Sequence, residues 1–297
     1  MRIAALFCVL AIVLSAPAPA RAQKAGPRIF VSVDMEGIWG VVASEQVTST
    51  SPEYTAARRW MAEDTNAVVA GLFEAGAAEI VVNDSHGTMR NIVADALNPR
   101  VSLVTGSPKP LSMMQGIDPS YDAVVFVGYH ARAGSAPAIL DHTISSATIR
   151  SIKINGREVA EFAINAAIAG YYKVPVILLT GDTETCAQAK GVLGDTLMTA
   201  AVKEATGRTA ARMYPAEEAR KRLKDAAREA LQKHAARPFV LNGPYTVEVD
   251  FHNSGQAVMP QMLPNVKAVG PRTVSFTATD YIEAFKTLRA IIALGGI

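Results

Sequence analysis

The chain contains very little cysteine. Its 297 residues include two cysteines, Cys8 and Cys186. Cys8 lies in an apolar N-terminal stretch with the pattern of a removable leader, which leaves Cys186 alone in the mature protein. A single cysteine cannot form an internal disulfide, so a small disulfide-stabilised fold is excluded. Stability must therefore come from core burial, from a metal or from assembly.

The N-terminal apolar run is too short for a stable membrane span. Residues 3–14 are apolar throughout, whereas a spanning helix needs about 20 such residues. Arg2 precedes the run, and Ala20, Arg21 and Ala22 form a small-x-small cleavage site. Residues 1–22 are therefore predicted to be a signal peptide that exports the protein, most simply to a bacterial periplasm. A retained N-terminal anchor is the alternative.

The sequence has no excess of charge of either sign. It contains 29 basic and 27 acidic side chains, and Arg2 and Arg21 belong to the predicted signal peptide, so cleavage leaves 27 of each sign. Nucleic acids and anionic membranes attract proteins that cluster lysine and arginine. The balanced charge therefore predicts that neither nucleic acid nor membrane is a partner.

Several common site motifs are also missing. The first predicted strand is not followed by GxGxxG, and neither the phosphate-binding pattern GxxxxGK[ST] nor the nucleophile pattern GxSxG occurs. These absences disfavour a dinucleotide site, a P-loop and a serine hydrolase of the α/β type.

Strand-like apolar segments alternate with helical stretches along the chain. Strands are predicted at residues 28–34, 78–84, 121–128 and 174–180, and a helix follows Ser51, Pro52 and Glu53. This order is typical of an α/β protein, and a three-layer α/β/α fold with a largely parallel central sheet is expected. Residues 146–154 differ and predict two short strands that end at the turn Asn155-Gly156.

The residue composition and the predicted elements change after about residue 203. A highly charged amphipathic helix is predicted at residues 216–236, strands at 245–251 and 274–279, and a closing helix at 281–294. We therefore predict a metal-binding α/β catalytic domain at residues 23–203 and a smaller C-terminal α/β subdomain at 204–297.

Two carboxylates end the first predicted strand. Asp34 and Glu36 are two residues apart, so both can project to one face of an extended chain. Two negative charges at one point are unfavourable unless a cation or a proton lies between them. A metal site explains the pair, but an ordinary turn or helix cap explains it as well.

Histidines follow two further strands. His86 comes after Asn83, Asp84 and Ser85, and His130 follows the strand at 121–128. Parallel strands bring such ends to one rim of a sheet, where the side chains can share a metal. A capped turn with an exposed histidine remains the alternative for each, and Asp84 is either a further ligand or structural.

His142 lies in the loop that follows, 12 residues after His130. A loop histidine near a metal is suited to general acid or base chemistry, since its pKa is near neutral. A surface histidine explains the local sequence nearly as well.

Together these segments resemble the DppA-type D-aminopeptidases, a family of zinc metallopeptidases. The resemblance begins with residues 32–38, 83–86 and 128–133 and with the segment around His142. It continues through residues 156–165, 170–176, 181–182, 199–203 and 253–256, and so covers essentially the whole mature chain.

The resemblance implies a ligand set and an assembly. It implies two zinc ions per subunit, with Asp34 bridging them and Glu36, His86, His130 and Glu161 completing the ligands. His142 matches the family's catalytic histidine. Glu161 enters on this ground alone. A homodecamer of two stacked five-membered rings, with active sites facing an internal chamber, is also implied.

Three functions follow from this reading. The first is a metallo-aminopeptidase that hydrolyses the N-terminal residue, a D-amino acid such as D-alanine, from short peptides through a two-zinc-activated water. The second keeps the metal site but uses it as another dinuclear metal amidohydrolase. The third is a non-enzymatic exported peptide-binding protein.

Overall fold

A computed structural model describes residues 26–297. The predicted signal peptide, residues 1–22, lies outside the described residues. Within the described part of the chain, no helix combines the length and the apolar character that crossing a bilayer requires.

The described residues form twelve strands and six α-helices. The strands are β1 (Arg28–Val33), β2 (Glu79–Asp84), β3 (Ser102–Val104), β4 (Ala123–Val127), β5 (Ile149–Ile154), β6 (Arg157–Glu158), β7 (Val176–Asp182), β8 (Met198–Gly207), β9 (Ala210–Met213), β10 (Tyr245–Phe251), β11 (Lys267–Gly270) and β12 (Thr273–Ala278). The helices are α1 (Ser44–Val47), α2 (Tyr54–Glu74), α3 (Glu161–Tyr171), α4 (Thr183–Leu193), α5 (Ala216–Lys233) and α6 (Tyr281–Gly295).

Seven strands form the first sheet, in the order β3-β2-β1-β4-β7-β8-β9. Neighbouring strands are parallel except for β8 and β9, which form an antiparallel pair at one edge. The predicted α/β class with a largely parallel central sheet is therefore confirmed.

Each face of this sheet contributes to a different core. Ile29, Val31 and Val33 of β1 pack with apolar side chains of α2 and α5. Phe30, which projects to the opposite face, packs in a second core with α3 and α6. Helices thus cover both faces, which explains why the strands read as continuous apolar runs.

The second sheet is antiparallel and has five strands, in the order β11-β12-β10-β5-β6. Its apolar face shares one core with α3, α6 and the first sheet. The predicted hairpin around Asn155 is part of this sheet, since β5 pairs with both β6 and β10.

The two sheets do not follow the predicted division of the chain at residues 203 and 204. That position lies inside β8, and β9 and α5 complete the first sheet and its core. The second sheet takes β5 and β6 from the earlier part of the chain. The first and second sheets are therefore joined by several chain crossings rather than by one linker.

Candidate metal centre

Three strand ends meet at one rim of the first sheet. β1, β2 and β4 are adjacent and parallel, and Val33 pairs with both Asp84 and Val127. Residues that follow these positions leave the sheet side by side, as expected at the carboxyl ends of parallel strands. This rim carries Asp34, Glu36, His86 and His130.

The loop that carries Asp34 and Glu36 is held close to β4. The Gly37 amide donates to the Gly128 carbonyl over 2.8 Å. A Cβ atom at residue 37 would lie 2.0 Å from the Tyr129 carbonyl oxygen. Glycine is thus required for this approach, and the turn directs both carboxylates back over the rim.

The side chain of Lys203, in β8, anchors the same loop through hydrogen bonds. Its buried Nζ donates to the carbonyl oxygens of Glu36, Ile38 and Val41 over 2.7, 2.8 and 2.5 Å. Burial lowers the pKa of Lys203 to about 7. The three acceptors favour the protonated form, because only the ammonium has three protons to donate.

His86 lies against both carboxylates of the β1 loop. Its Nδ1 is 3.3 Å from Asp34 Oδ1 and 3.1 Å from Glu36 Oε2. Its Nε2 is 2.9 Å from the carbonyl oxygen of Val47. Because a carbonyl only accepts, we assign the ring proton to Nε2, so the neutral ring presents its Nδ1 lone pair to the carboxylates.

His130 has the matching arrangement on the other side of Asp34. Its Nε2 is 3.4 Å from Asp34 Oδ2 and 3.5 Å from Glu161 Oε2. Its Nδ1 is 3.0 Å from the Ala131 carbonyl oxygen and is therefore the donor in a neutral ring. Among the described residues, Nε2 is buried without a hydrogen-bond partner. Asp34 thus directs one oxygen toward each histidine.

Glu161 and His142 complete the cluster. Glu161 begins α3, and its Oε2 also accepts the Ile144 amide proton. The His142 ring stacks on that of His130, with centroids 3.8 Å apart and an interplanar angle of 13°. His142 Nδ1 is 2.9 Å from the Leu140 carbonyl oxygen, which leaves Nε2 as its free nitrogen.

The cluster fits divalent metal ions. Its donors form two groups, each with ligand atoms within 4.8 Å of one another: Asp34, Glu36 and His86, and His130, His142 and Glu161. An imidazole lone pair that faces a carboxylate is repelled unless a proton or a cation lies between them, and burial increases the cost. Imidazole nitrogens and carboxylate oxygens are the donors that zinc accepts.

The same contacts shift the pKa values of the cluster. Burial and the charge of Glu36 raise the pKa of Asp34 to about 7. Burial alone would lower the pKa of His130, but Glu161 and Asp34 outweigh it and raise the pKa to about 10. Burial and the charge of His130 lower the pKa of His142. Near pH 7 the carboxylates thus favour a second proton on the His130 ring, at the position that a cation would otherwise take, whereas His142 stays neutral.

A cavity of ≈ 320 Å³ opens onto the cluster. Such a volume is at the small end of ligand pockets. Besides Asp34, Glu36, His86, His142 and Glu161, its lining includes Ser85, Met113, Asn165, Phe285 and Arg289.

Comparison with known proteins agrees with this geometry. A family model described as D-aminopeptidase matches residues 28–290. The chain belongs to the D-aminopeptidase family. A D-aminopeptidase from Bacillus subtilis (strain 168) is 35% identical over 269 residues, which cover 90% of this chain and 97% of the relative.

A solved structure also resembles this D-aminopeptidase-family chain. It is described as the Zn-dependent D-aminopeptidase DppA from Bacillus subtilis, a self-compartmentalizing protease. It is 34% identical, superposes with a TM-score of 0.87, and the match covers 91% of this chain and 98% of that one. The predicted membership of the DppA-type family, and with it the prediction of a peptidase, is confirmed.

Asp84, which the sequence offers as a further ligand, and the nearby Arg132 lie outside the two groups of candidate metal ligands. Asp84 accepts hydrogen bonds from the amide and side chain of Asn91 and from the Ile92 amide, so it shapes the loop after His86. Arg132 pairs with Glu158. Asp84 and Arg132 therefore have structural partners of their own.

Cys186 and His252 also lie outside these two groups. Burial raises the pKa of Cys186 to about 12, which excludes an activated thiolate at neutral pH. His252 is exposed, and its ring contacts the Ser146 carbonyl oxygen.

Two residues of the D-aminopeptidase-family site are not singled out by sequence reasoning. Lys203 belongs to a strand that the pattern does not predict, and Arg289 lies in the closing helix. Arg289 could have been found, since it adjoins Leu288 on the apolar face of an otherwise regular amphipathic pattern. Lys203 had no comparable local signal.

Proposed function

We propose that this D-aminopeptidase-family protein uses two zinc ions to remove the N-terminal residue, a D-amino acid such as D-alanine, from short peptides. The observation that carries the proposal is the position of Asp34 between two histidines, with Oδ1 near His86 and Oδ2 near His130. The zinc dependence of the Bacillus subtilis structure supports the choice of metal.

The proposed ligands form two sets that share Asp34. Glu36 and His86 would hold one ion with it, and His130 and Glu161 would hold the other. When bound, zinc supplies Lewis-acid polarisation of the scissile carbonyl and lowers the pKa of water. The positive charge of the bound ions would also compensate the buried carboxylates. It would thereby remove the repulsion between these carboxylates and the imidazole lone pairs.

His142 is suited to move a proton in this reaction. The Leu140 carbonyl fixes the ring proton on Nδ1, and stacking on His130 fixes the plane of the ring. The free Nε2 can accept a proton from the nucleophilic water and return it to the leaving amine. Its lowered pKa keeps this nitrogen unprotonated at neutral pH.

We further propose that the mature protein is exported and assembles as a homodecamer with internal active sites. The residue pattern of the N-terminal 22 residues supports export. The description of the Bacillus subtilis structure as self-compartmentalizing supports a closed assembly. N-terminal sequencing of the periplasmic fraction and light scattering of the purified protein test these two points.

Metal analysis followed by a peptide panel tests the proposed reaction. Purified mature protein is expected to carry about two zinc ions per chain and to hydrolyse D-Ala-D-Ala faster than L-Ala-L-Ala. Hydrolysis of other amides with no release of an N-terminal residue would favour the alternative dinuclear amidohydrolase. Peptide binding without turnover and without zinc would favour the non-enzymatic alternative and overturn the proposal.

A further inference from the structure

Arg289 occupies an unusual position on α6. Phe285, Leu288 and Ile292 form the buried face of this helix, and Arg289 lies one helical turn after Phe285. Phe285 and Arg289 both line the cavity beside the metal cluster. The helix therefore directs a cation toward the same space as the proposed metal ligands.

The guanidinium of Arg289 has no hydrogen-bonded or ion-paired partner among residues 26–297. Within residues 26–297 it makes no hydrogen bond and no ion pair, and Glu161 acts on it only through charge. Burial lowers the pKa of Arg289, but a guanidinium stays charged at neutral pH. A half-buried cation without a hydrogen-bonded anion is unfavourable, so this position is best satisfied by an anionic ligand.

Further basic residues lie next to Arg289, on the side away from the proposed metal ligands. A neighbouring cavity of ≈ 360 Å³ is lined by Lys109, Lys286 and Arg289, and no acidic residue lines it. Lys109 is already bound to the Asn83 side chain and to backbone carbonyls. Lys286 is exposed. Arg289 is thus the cation that faces both cavities and is free to bind.

We propose that Arg289 binds the C-terminal carboxylate of the peptide substrate and thereby selects short peptides with a free carboxyl end. This inference rests on the proposed aminopeptidase function. A planar guanidinium can hold a carboxylate through two parallel hydrogen bonds. With the N-terminal residue at the metal cluster, a peptide in the ≈ 320 Å³ cavity would extend its other end toward this side chain.

Paired substrates separate this role from a structural one. D-Ala-D-Ala and its C-terminal amide differ only in the charge that Arg289 is proposed to bind. The wild type is expected to prefer the free acid. Arg289→Gln is expected to lower kcat/KM for the acid by about 10- to 100-fold, mainly through KM, and to leave kcat/KM for the amide within about threefold.

Two further variants act as controls. Arg289→Lys keeps the positive charge but loses the planar guanidinium that can make two parallel hydrogen bonds. An intermediate loss of kcat/KM for the acid is therefore expected. Lys221→Gln removes an exposed cation from α5, on the far side of the first sheet, and is expected to change neither substrate.

The outcomes distinguish the two proposals. Equal loss for acid and amide in Arg289→Gln would assign Arg289 a structural role and overturn the inference. So would a wild type that hydrolyses both substrates equally well. Failure of the wild type to hydrolyse either substrate, in the presence of zinc, would instead overturn the aminopeptidase function itself.

Discussion

Backbone carbonyls orient all three histidines of the candidate metal cluster. The carbonyl oxygens of Val47 and Ala131 contact His86 Nε2 and His130 Nδ1, and that of Leu140 contacts His142 Nδ1. Each contact fixes one tautomer and directs the other nitrogen into the site. The chemistry of these rings is therefore set by loop geometry rather than by neighbouring side chains alone.

Replacing His142 tests whether its role differs from that of the proposed metal ligands. His142→Ala is expected to lower kcat by about 10²- to 10⁴-fold because proton transfer is lost, while bound zinc is retained. Turnover of D-Ala-D-Ala and zinc content, measured on the same preparation, check this. His252→Ala removes an exposed ring and is the control. Loss of zinc from the His142→Ala variant would instead show that His142 is a zinc ligand.

Asp34 is expected to affect both metal positions, whereas His86 affects one. Asp34→Asn removes the charge that lies between His86 and His130, so the zinc content should fall at both positions. His86→Ala should lower it by about half. Elemental analysis after dialysis measures both, with Glu158→Gln as the control because this exposed carboxylate pairs with Arg132. Equal losses in Asp34→Asn and His86→Ala would contradict the bridging position.

The sequence predicts these residues unequally, for physical reasons. Asp34, Glu36, His86 and His130 stand directly after apolar strands, and the geometry of a parallel sheet brings such positions together. Glu161 was predicted only from the family resemblance, because a first-turn glutamate on a helix has no local pattern that distinguishes it. Its role depends on where α3 packs, which is a tertiary property.

At the scale of elements, α4 supports the loop that carries His142. Asp182 caps this helix, and its Oδ1 accepts protons from the Thr185 amide and hydroxyl. Its Oδ2 accepts the Ile139 amide proton over 2.8 Å. One carboxylate therefore connects the end of β7 with the approach to His142, which links the position of that ring to the central sheet.

A carboxylate of α2 is expected to make stability depend on pH. Asp64 is buried, it accepts the Trp39 amide proton over 2.8 Å, and burial raises the pKa of Asp64 to about 6. The folded state thus holds this proton more tightly than the unfolded state, for which the pKa is about 3.9. Its stabilising contribution is present at low pH and is lost as pH rises through about 6.

Asp64→Asn isolates this contribution, since the amide keeps the acceptor but does not titrate. Relative to the variant, the wild type should lose about 3 kcal/mol of unfolding free energy between about pH 4 and pH 7. Urea unfolding of both proteins at several pH values, with the same chelator present in every sample, measures the difference. A difference that stays constant with pH would show that Asp64 does not titrate in this range.

Element prediction succeeds where the apolar pattern is strong. β1, β2, β4 and β7 are long buried runs, and all four were predicted. β3 has three residues and β11 lies at an edge with mostly exposed side chains, so neither has a clear pattern. β8 follows α4 without a distinct apolar alternation, and for this reason the predicted division at residue 203 falls inside it.

At the scale of the whole molecule, the metal cluster lies where both cores meet. The strands β1 and β4 belong to the core with α2 and α5 and to the core with α3 and α6. His86 and Asp34 follow strands of the first sheet, and Glu161 begins a helix of the second core. Bound metal would thus connect parts of the chain that pack in separate cores.

Metal removal is therefore expected to destabilise the entire fold. Excess EDTA should lower the melting temperature of the wild type, because a ligand present at 100 times its Kd stabilises by about 2.7 kcal/mol. Added zinc should restore the original value. Differential scanning calorimetry makes the measurement, and Asp34→Asn should respond much less to both treatments. An unchanged melting temperature in EDTA would contradict a structural contribution of the metal.

Lys203 has a consequence for incomplete chains. It contacts the Glu36 carbonyl from 167 positions further along the polypeptide. A fragment that stops before β8 would contain every proposed zinc ligand and His142, but it would lack the three hydrogen bonds by which Lys203 holds the turn that carries two of those ligands. We therefore expect a chain truncated before β8 to bind zinc more weakly than the full-length enzyme.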